Sequence, residues 1–306
     1  MLENGGIKML KGIYAPIPTP FDNDSEISWN GFKKNLEWWG NSSLDGLVVG
    51  GTNGEAVLLS EEEKIAAFSY TRENLPAAKK VVAGTGCESA RATIRLNRAA
   101  AESGCDAVLV LNPSYYKGSL NDEALYLYFM HVAEGSPLPL LLYNMPRNTA
   151  VNLNANLVCR LAEHPNIVGI KDSSGNIVQL AEIIRGCRPG FAVFAGSASF
   201  LLPSLLMGAV GGTLALANIL PKPCARIQSL FTAGHLAAAK ELQLKLLAIN
   251  NAVTSRWGVA GLKAAMDLCD LYGGKPRLPL QPLSELEKTE LKTMIDILIV
   301  EKTLSS

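Results

Sequence analysis

Eight short apolar runs punctuate the chain: GIYAPIPTP, GLVVGG, VVAGTG, AVLVLN, LPLLLYNMP, IVGIKDS, FAVFAGS and VGGTLALAN. They recur at intervals of about 20 to 35 residues, with amphipathic helical stretches between them. One such stretch opens at Ser60-Glu61-Glu62-Glu63, where Ser60 and Glu63 have the spacing of a capping box. Strands that are apolar on both faces and alternate with helices predict a parallel sheet covered by helices. Eight such units in about 230 residues fit an α/β fold of the (β/α)8 TIM-barrel type better than an open doubly wound sheet, which usually has fewer strands.

The strand pattern stops after Ala217-Asn218. The segments AGHLAAAKELQLKLLAINNAV, GVAGLKAAMDLCDLY and LSELEKTELKTMIDILIVEK read as helices separated by Gly and Pro breaks. The expected organisation is a barrel over residues 1–234 that holds the active site, and a C-terminal helical region over residues 235–306 packed on it.

Composition narrows the partners. A chain of 306 residues is long enough for a large core without staples. Its 28 basic and 28 acidic residues cancel, and no Lys/Arg cluster is interleaved with aromatics, so neither nucleic acid nor an anionic membrane is an expected partner. No run reaches the roughly 20 apolar residues of a membrane span. The expected ligand is a small molecule. The six cysteines form no Cys-x-x-Cys pair and read as reduced thiols of a cytoplasmic protein. The opening MLENGGIKMLKGIYAP has no long apolar stretch, carries Glu3 and has too few arginines for a typical transit peptide; the alternative is a mitochondrial placement, with a leader preceding these residues. His131, His164 and His235 are too scattered to predict a metal triad.

In a (β/α)8 barrel the chemistry lies just past the C-terminal ends of the strands. Run two ends in Gly50-Gly51-Thr52-Asn53-Gly54-Glu55, run five in Tyr143-Asn144-Met145-Pro146, run six in Lys171-Asp172-Ser173-Ser174, and run seven in Gly196-Ser197-Ala198-Ser199. One amine, one phenol, several hydroxyls and a glycine turn are thus predicted at one mouth. That set suits carbonyl chemistry without a metal or organic cofactor. An ammonium group taken out of water gives up its proton more easily, and a neutral amine attacks a ketone. The resulting iminium stabilises a carbanion on the adjacent carbon, where a carbon–carbon bond can be made or broken. Lys171 is the predicted amine, and Tyr143 is placed to move protons at the carbinolamine. The turn offers unobstructed backbone N–H groups to a carboxylate, and a 2-oxo acid would fit. The bland alternatives are a Lys171 paired with Asp172 and a Tyr143 that is a half-buried aromatic with a satisfied hydroxyl.

The paired motifs GTNGEAVLLS and YNMP…GIKDSSG, within a stretch from KGIYAPIPTPF to LYGGKPRLPL, resemble the pyruvate-dependent class I aldolase and synthase family that includes dihydrodipicolinate synthase and N-acetylneuraminate lyase. The resemblance implies Lys171 as Schiff-base lysine, Tyr143 as acid/base, Thr52 as proton relay, and Gly51, Thr52 and Asn53 around the pyruvate carboxylate. It also implies that Tyr115 of NPSYY reaches into a neighbouring subunit's relay, and hence a dimer, usually within a homotetramer. In the synthases an arginine stands two residues after the YN-x-P proline; here Arg147 follows Pro146 directly, and in a strand-like segment that offset points it to the opposite face. The segments GTGCES, AGSASFL, MGAVGGTLALAN and GLKAAMDLCDLYGG resemble the 4-hydroxy-2-oxoglutarate aldolase branch. That branch implies release of pyruvate and glyoxylate, with Asn148, Ser173 and Ser197 near the distal carboxylate and Gly196 beside them. Three other enzymatic readings stay open: a 3-deoxy-hexulosonate aldolase, dihydrodipicolinate synthesis, and a metal-dependent aldolase. A fourth is a non-catalytic module that binds oxo acids.

Overall fold

The structure is a computed structural model that describes residues 10–300; the opening segment read above for a leader and the last residues of the C-terminal region lie largely or wholly outside it. Eight parallel strands close into a barrel in chain order: β1 Gly12–Pro16, β2 Gly46–Val49, β3 Lys80–Gly84, β4 Ala107–Leu111, β5 Leu140–Asn144, β6 Ile167–Asp172, β7 Ala192–Ala195 and β8 Gly211–Thr213. β8 pairs back onto β1. All eight apolar runs hold a strand, although the eighth is strand for three residues only and its Ala215–Asn218 stretch winds into a 3-10 turn. Among the described residues no helix is long and apolar enough to cross a membrane.

The strands are apolar on both faces because each face meets a different core. Alternate residues such as Leu47, Val49, Val108, Val110, Leu140 and Leu142 point outward into the layer shared with the helices. Their neighbours Val48, Leu109 and Leu141 point inward, with Tyr14 and Phe194 in edge contact at 5.7 Å. Burying each such side chain contributes about 1.5–3 kcal/mol. The helices between strands start at polar caps, Ser28, Ser60, Ser89, Asn121, Asn154 and Asn176, each accepting a backbone N–H of the first turn. The capping box expected at Ser60 and Glu63 is present, with Ser60 N–H donating to the Glu63 carboxylate at 2.7 Å.

One irregularity decides where the chemistry points. Between Leu140 and Leu141 the register of β5 on β6 slips, so that Leu140 faces Ile167 and Leu141 faces Gly169. β6 therefore carries one extra residue. Ile167 and Ile170 both face outward, three positions apart, and Lys171 turns inward opposite Tyr143. Strict alternation from Ile167 would have sent Lys171 into the helix layer.

Beyond the eighth barrel helix, Pro221–Thr232, the C-terminal region adds helices Leu236–Lys245, Leu247–Asn251, Gly258–Leu268 and Glu285–Val300. A π-helical turn, Ala252–Arg256, joins the second to the third. Asn35 holds this region to the first barrel helix, donating to the Tyr272 carbonyl and accepting its N–H, both at 2.8 Å. Residues 247–259 are thereby laid along the mouth formed by the C-terminal strand ends.

Candidate active site

A cleft of about 990 Å³ opens at that mouth, and Lys171 lies in its wall. Lys171 is 4% exposed, yet no carboxylate pairs with it among the described residues. The adjacent Asp172 is committed elsewhere: it accepts from Asn144 at 2.8 Å, from Gln179 at 3.1 Å and from the Ser174 N–H at 2.8 Å. The pairing of Lys171 with Asp172 is therefore not the one that forms. Instead Lys171 Nζ sits 4.1 Å from the centre of the Tyr143 ring, a cation–π contact made possible because the two residues are direct partners across β5 and β6.

Tyr143 is buried at the end of β5, and its hydroxyl lies 3.2 Å from Thr52 Oγ1. Burial works to raise its pKa; the Lys171 charge, with hydrogen bonds from Thr52, Lys171 and Ser173, outweighs that and brings the phenol below its ordinary value. A phenol that gives up its proton more readily, beside a lysine and a hydroxyl, can pass a proton in either direction.

Of the residues singled out from sequence, Thr52, Asn53, Tyr143, Asn148, Lys171, Ser173, Gly196 and Ser197 line this cleft together. Gly196 permits the approach of β6 and β7: a Cβ there would stand 2.0 Å from Ser173 Oγ. Gly51 belongs to the same turn but is buried behind it, its carbonyl accepting the Ala56 N–H. Tyr115 lies outside the cleft, 78% exposed and in edge contact with Tyr116 at 5.1 Å. Among the described residues no three His, Cys, Asp or Glu side chains group so as to hold a metal ion.

Arg147 requires a correction. Pro146–Thr149 is one turn of helix and not a strand, so a one-residue offset rotates a side chain by about 100° rather than reversing its face. Arg147 lines the cleft and donates to the Ser255 carbonyl at 2.8 Å. Ser255 belongs to the π turn, which the sequence reading did not foresee as part of the site. Asn250, just before that turn, donates to Ser197 Oγ at 3.1 Å. The one available signal was NNAVTSR, a polar interruption in an otherwise apolar-spaced helical segment.

A model of the dihydrodipicolinate synthetase family matches residues 9–298. The chain belongs to this family. It is an enzyme, a carbon–carbon lyase of the aldolase type. It is 36% identical over 289 residues to the probable mitochondrial 4-hydroxy-2-oxoglutarate aldolase of Emericella nidulans, covering 93% of each chain. It is also 36% identical over 308 residues to the L-threo-3-deoxy-hexylosonate aldolase of Hypocrea jecorina, covering 96% of this chain and 98% of that one. The crystal structure of a dihydrodipicolinate synthase from Bacillus anthracis matches the fold with a TM-score of 0.90 at 31% identity, covering 94% of this chain and 97% of that one. Two aldolases and a synthase thus stand at similar distances within the family.

Proposed function

We propose that this family member is a class I aldolase that cleaves a 4-hydroxy-2-oxo acid through an imine on Lys171, with 4-hydroxy-2-oxoglutarate as substrate and pyruvate and glyoxylate as products. The observation that carries the reading is the buried Lys171 amine, without a carboxylate partner among the described residues, set 4.1 Å from the ring of a Tyr143 whose hydroxyl meets Thr52. Lys171 adds to the C2 carbonyl, and Tyr143 supplies the proton with which the carbinolamine oxygen departs as water. Tyr143 then takes the C4 hydroxyl proton as the C3–C4 bond breaks. The electron pair of that bond enters the imine as an enamine, and the aldehyde leaves. Protonation at C3 and addition of water release pyruvate and restore the amine. Thr52 relays the proton between Tyr143 and solvent or a neighbouring hydroxyl.

The turn at Gly51, Thr52 and Asn53 would hold the carboxylate next to the oxo group. Asn148, Ser197 and the positively charged Arg147 line the same cleft, with Ser173 beside Tyr143, which supports a second carboxylate at the far end of the substrate. A second reading keeps the chemistry and lengthens the tail to a 3-deoxy-hexulosonate; the equal identity to the Hypocrea relative favours it. Tyr115, exposed beside Tyr116, would complete the relay of a second copy in a homodimer or tetramer.

Pyruvate release from 4-hydroxy-2-oxoglutarate, from threo- and erythro-3-deoxy-hexulosonates and from N-acetylneuraminate, with Lys171→Ala as control, tests the proposal. The dicarboxylate is expected to turn over fastest. A faster hexulosonate would replace the substrate and keep the mechanism. Release unaffected in Lys171→Ala would sink the mechanism itself.

A further inference from the structure

The turn that presents Thr52 is tied to the C-terminal region through Glu55. Glu55 closes it with φ of 56°, in the left-handed region that a residue with a side chain enters at a cost of order 1 kcal/mol or more. Its carboxylate is also buried, with the residue 2% exposed. The buried carboxylate is partnered from the C-terminal region. Lys263, in the helix Gly258–Leu268 and 1% exposed, places Nζ 2.5 Å from Glu55 Oε1. Glu55 Oε2 accepts the Arg277 N–H at 2.8 Å. Lys263 donates further to the Lys275 carbonyl at 3.1 Å and lies 4.3 Å from the Phe21 ring.

Neither Glu55 nor Lys263 lines the cleft, so neither touches substrate. Their connection to the chemistry is short all the same. Glu55 N–H donates to the Thr52 carbonyl at 3.1 Å, the Gly54 carbonyl accepts from Thr19 Oγ1 at 2.7 Å, and Thr52 Oγ1 stands 3.2 Å from the Tyr143 hydroxyl. A continuous line of contacts thus runs from Lys263 through Glu55 and Thr52 to Tyr143 and Lys171. Taking both charges out of water is expensive, and packed apolar side chains of similar volume often serve stability as well or better. Position is what two opposite charges held at fixed points supply and an apolar pair does not, even though Glu55 Oε1 meets Lys263 Nζ by proximity at 2.5 Å without an aligned hydrogen bond.

We propose that Glu55 and Lys263 are positioning residues that hold the Thr52 hydroxyl on Tyr143, so that the C-terminal region sets the geometry of the proton relay in the barrel. The inference rests on Lys171 being the Schiff-base lysine. Burial pushes the Lys263 ammonium below its ordinary pKa, and the Glu55 carboxylate opposes that shift.

The test uses the full-length protein, Glu55→Gln, and the double variant Glu55→Gln/Lys263→Met, which leaves no buried charge without its partner. Trapping with pyruvate and borohydride counts competent Lys171 sites; kcat is then expressed per trapped site, and its pH profile recorded. The expected result is near-normal trapping in both variants, with kcat per trapped site down about 10- to 100-fold and little change in KM. The alkaline limb is expected to move to higher pH, because Tyr143 loses the Thr52 hydrogen bond that helps it ionise. Unchanged kcat per trapped site with an unchanged pH profile would overturn the inference and leave the pair a purely structural role. No borohydride-trapped adduct in the unsubstituted protein would instead overturn the Schiff-base reading, and this inference with it.

Discussion

Lys171 and Lys263 are buried to nearly the same degree, 4% and 1% exposed, and each places Nζ over an aromatic ring, Tyr143 at 4.1 Å and Phe21 at 4.3 Å. Their surroundings otherwise diverge. Lys263 meets a carboxylate at 2.5 Å and a backbone carbonyl at 3.1 Å, deep between the barrel and the C-terminal helices. Lys171 meets a phenol and an open cleft, while the carboxylate next to it in sequence is held by Asn144, Gln179 and Ser174. Burial is common to both, so burial does not by itself make a lysine a nucleophile. The Lys263 amine is occupied by a carboxylate and a backbone carbonyl, whereas the Lys171 amine has neither and faces a cleft from which a carbonyl can reach it.

The contrast is breakable by parallel substitutions. Lys171→Met is expected to lower turnover by roughly 10³-fold or more while the unfolding midpoint holds or rises, because a reactive group in an apolar wall does not serve stability; steady-state rates and thermal melts check both halves. Lys263→Met is expected to do the reverse in stability. It strands Glu55 as a buried unpaired charge, at about 3–5 kcal/mol, which for a chain of this size lowers the midpoint on the order of 10 °C. Equal midpoints for the two variants would erase the distinction drawn between the two sites.

Thr52→Ala is next in size. A drop in kcat of about 10- to 100-fold is expected. The sign of its pH effect follows from Tyr143: the Thr52 hydrogen bond helps hold that phenol below its ordinary pKa, so removing it raises the pKa. The alkaline limb of the kcat profile should therefore move to higher pH. Smallest is Arg147→Met. Loss of one charged contact to the distal carboxylate is expected to raise KM for 4-hydroxy-2-oxoglutarate about 10-fold with kcat nearly unchanged. The KM for a hexulosonate, whose tail is neutral, should stay within about 2-fold.

Most of the barrel was legible because each strand is a short apolar run, and a strand apolar on both faces has few alternatives to a helix-covered parallel sheet. The gathering of the polar residues at one mouth was legible too: Thr52, Ser173 and Ser197 fall just past Val49, Asp172 and Ala195, where strands stop, while Tyr143 and Lys171 are the last residues but one of their strands. The direction of Lys171 did not follow from alternation. Counting by twos from Ile167 sends it outward, and the extra residue in β6 brings it in; the glycine at 169 inside an apolar strand was the available sign of that bulge. The face of Arg147 was misread for a related reason, because one helical turn follows β5 where an extended segment was assumed. The Glu55–Lys263 pair was out of reach, since it joins residues far apart in sequence, and the π turn Ala252–Arg256 left only the polar interruption NNAVTSR as its sign.

The central claim is that Lys171, among all the lysines, forms the imine. Peptide mapping of the protein after treatment with pyruvate and borohydride tests it directly. The account predicts one reduced pyruvyl adduct, on the peptide carrying Lys171, with Lys263 unmodified. An adduct on another lysine, or pyruvate release that continues with no adduct formed, would contradict it.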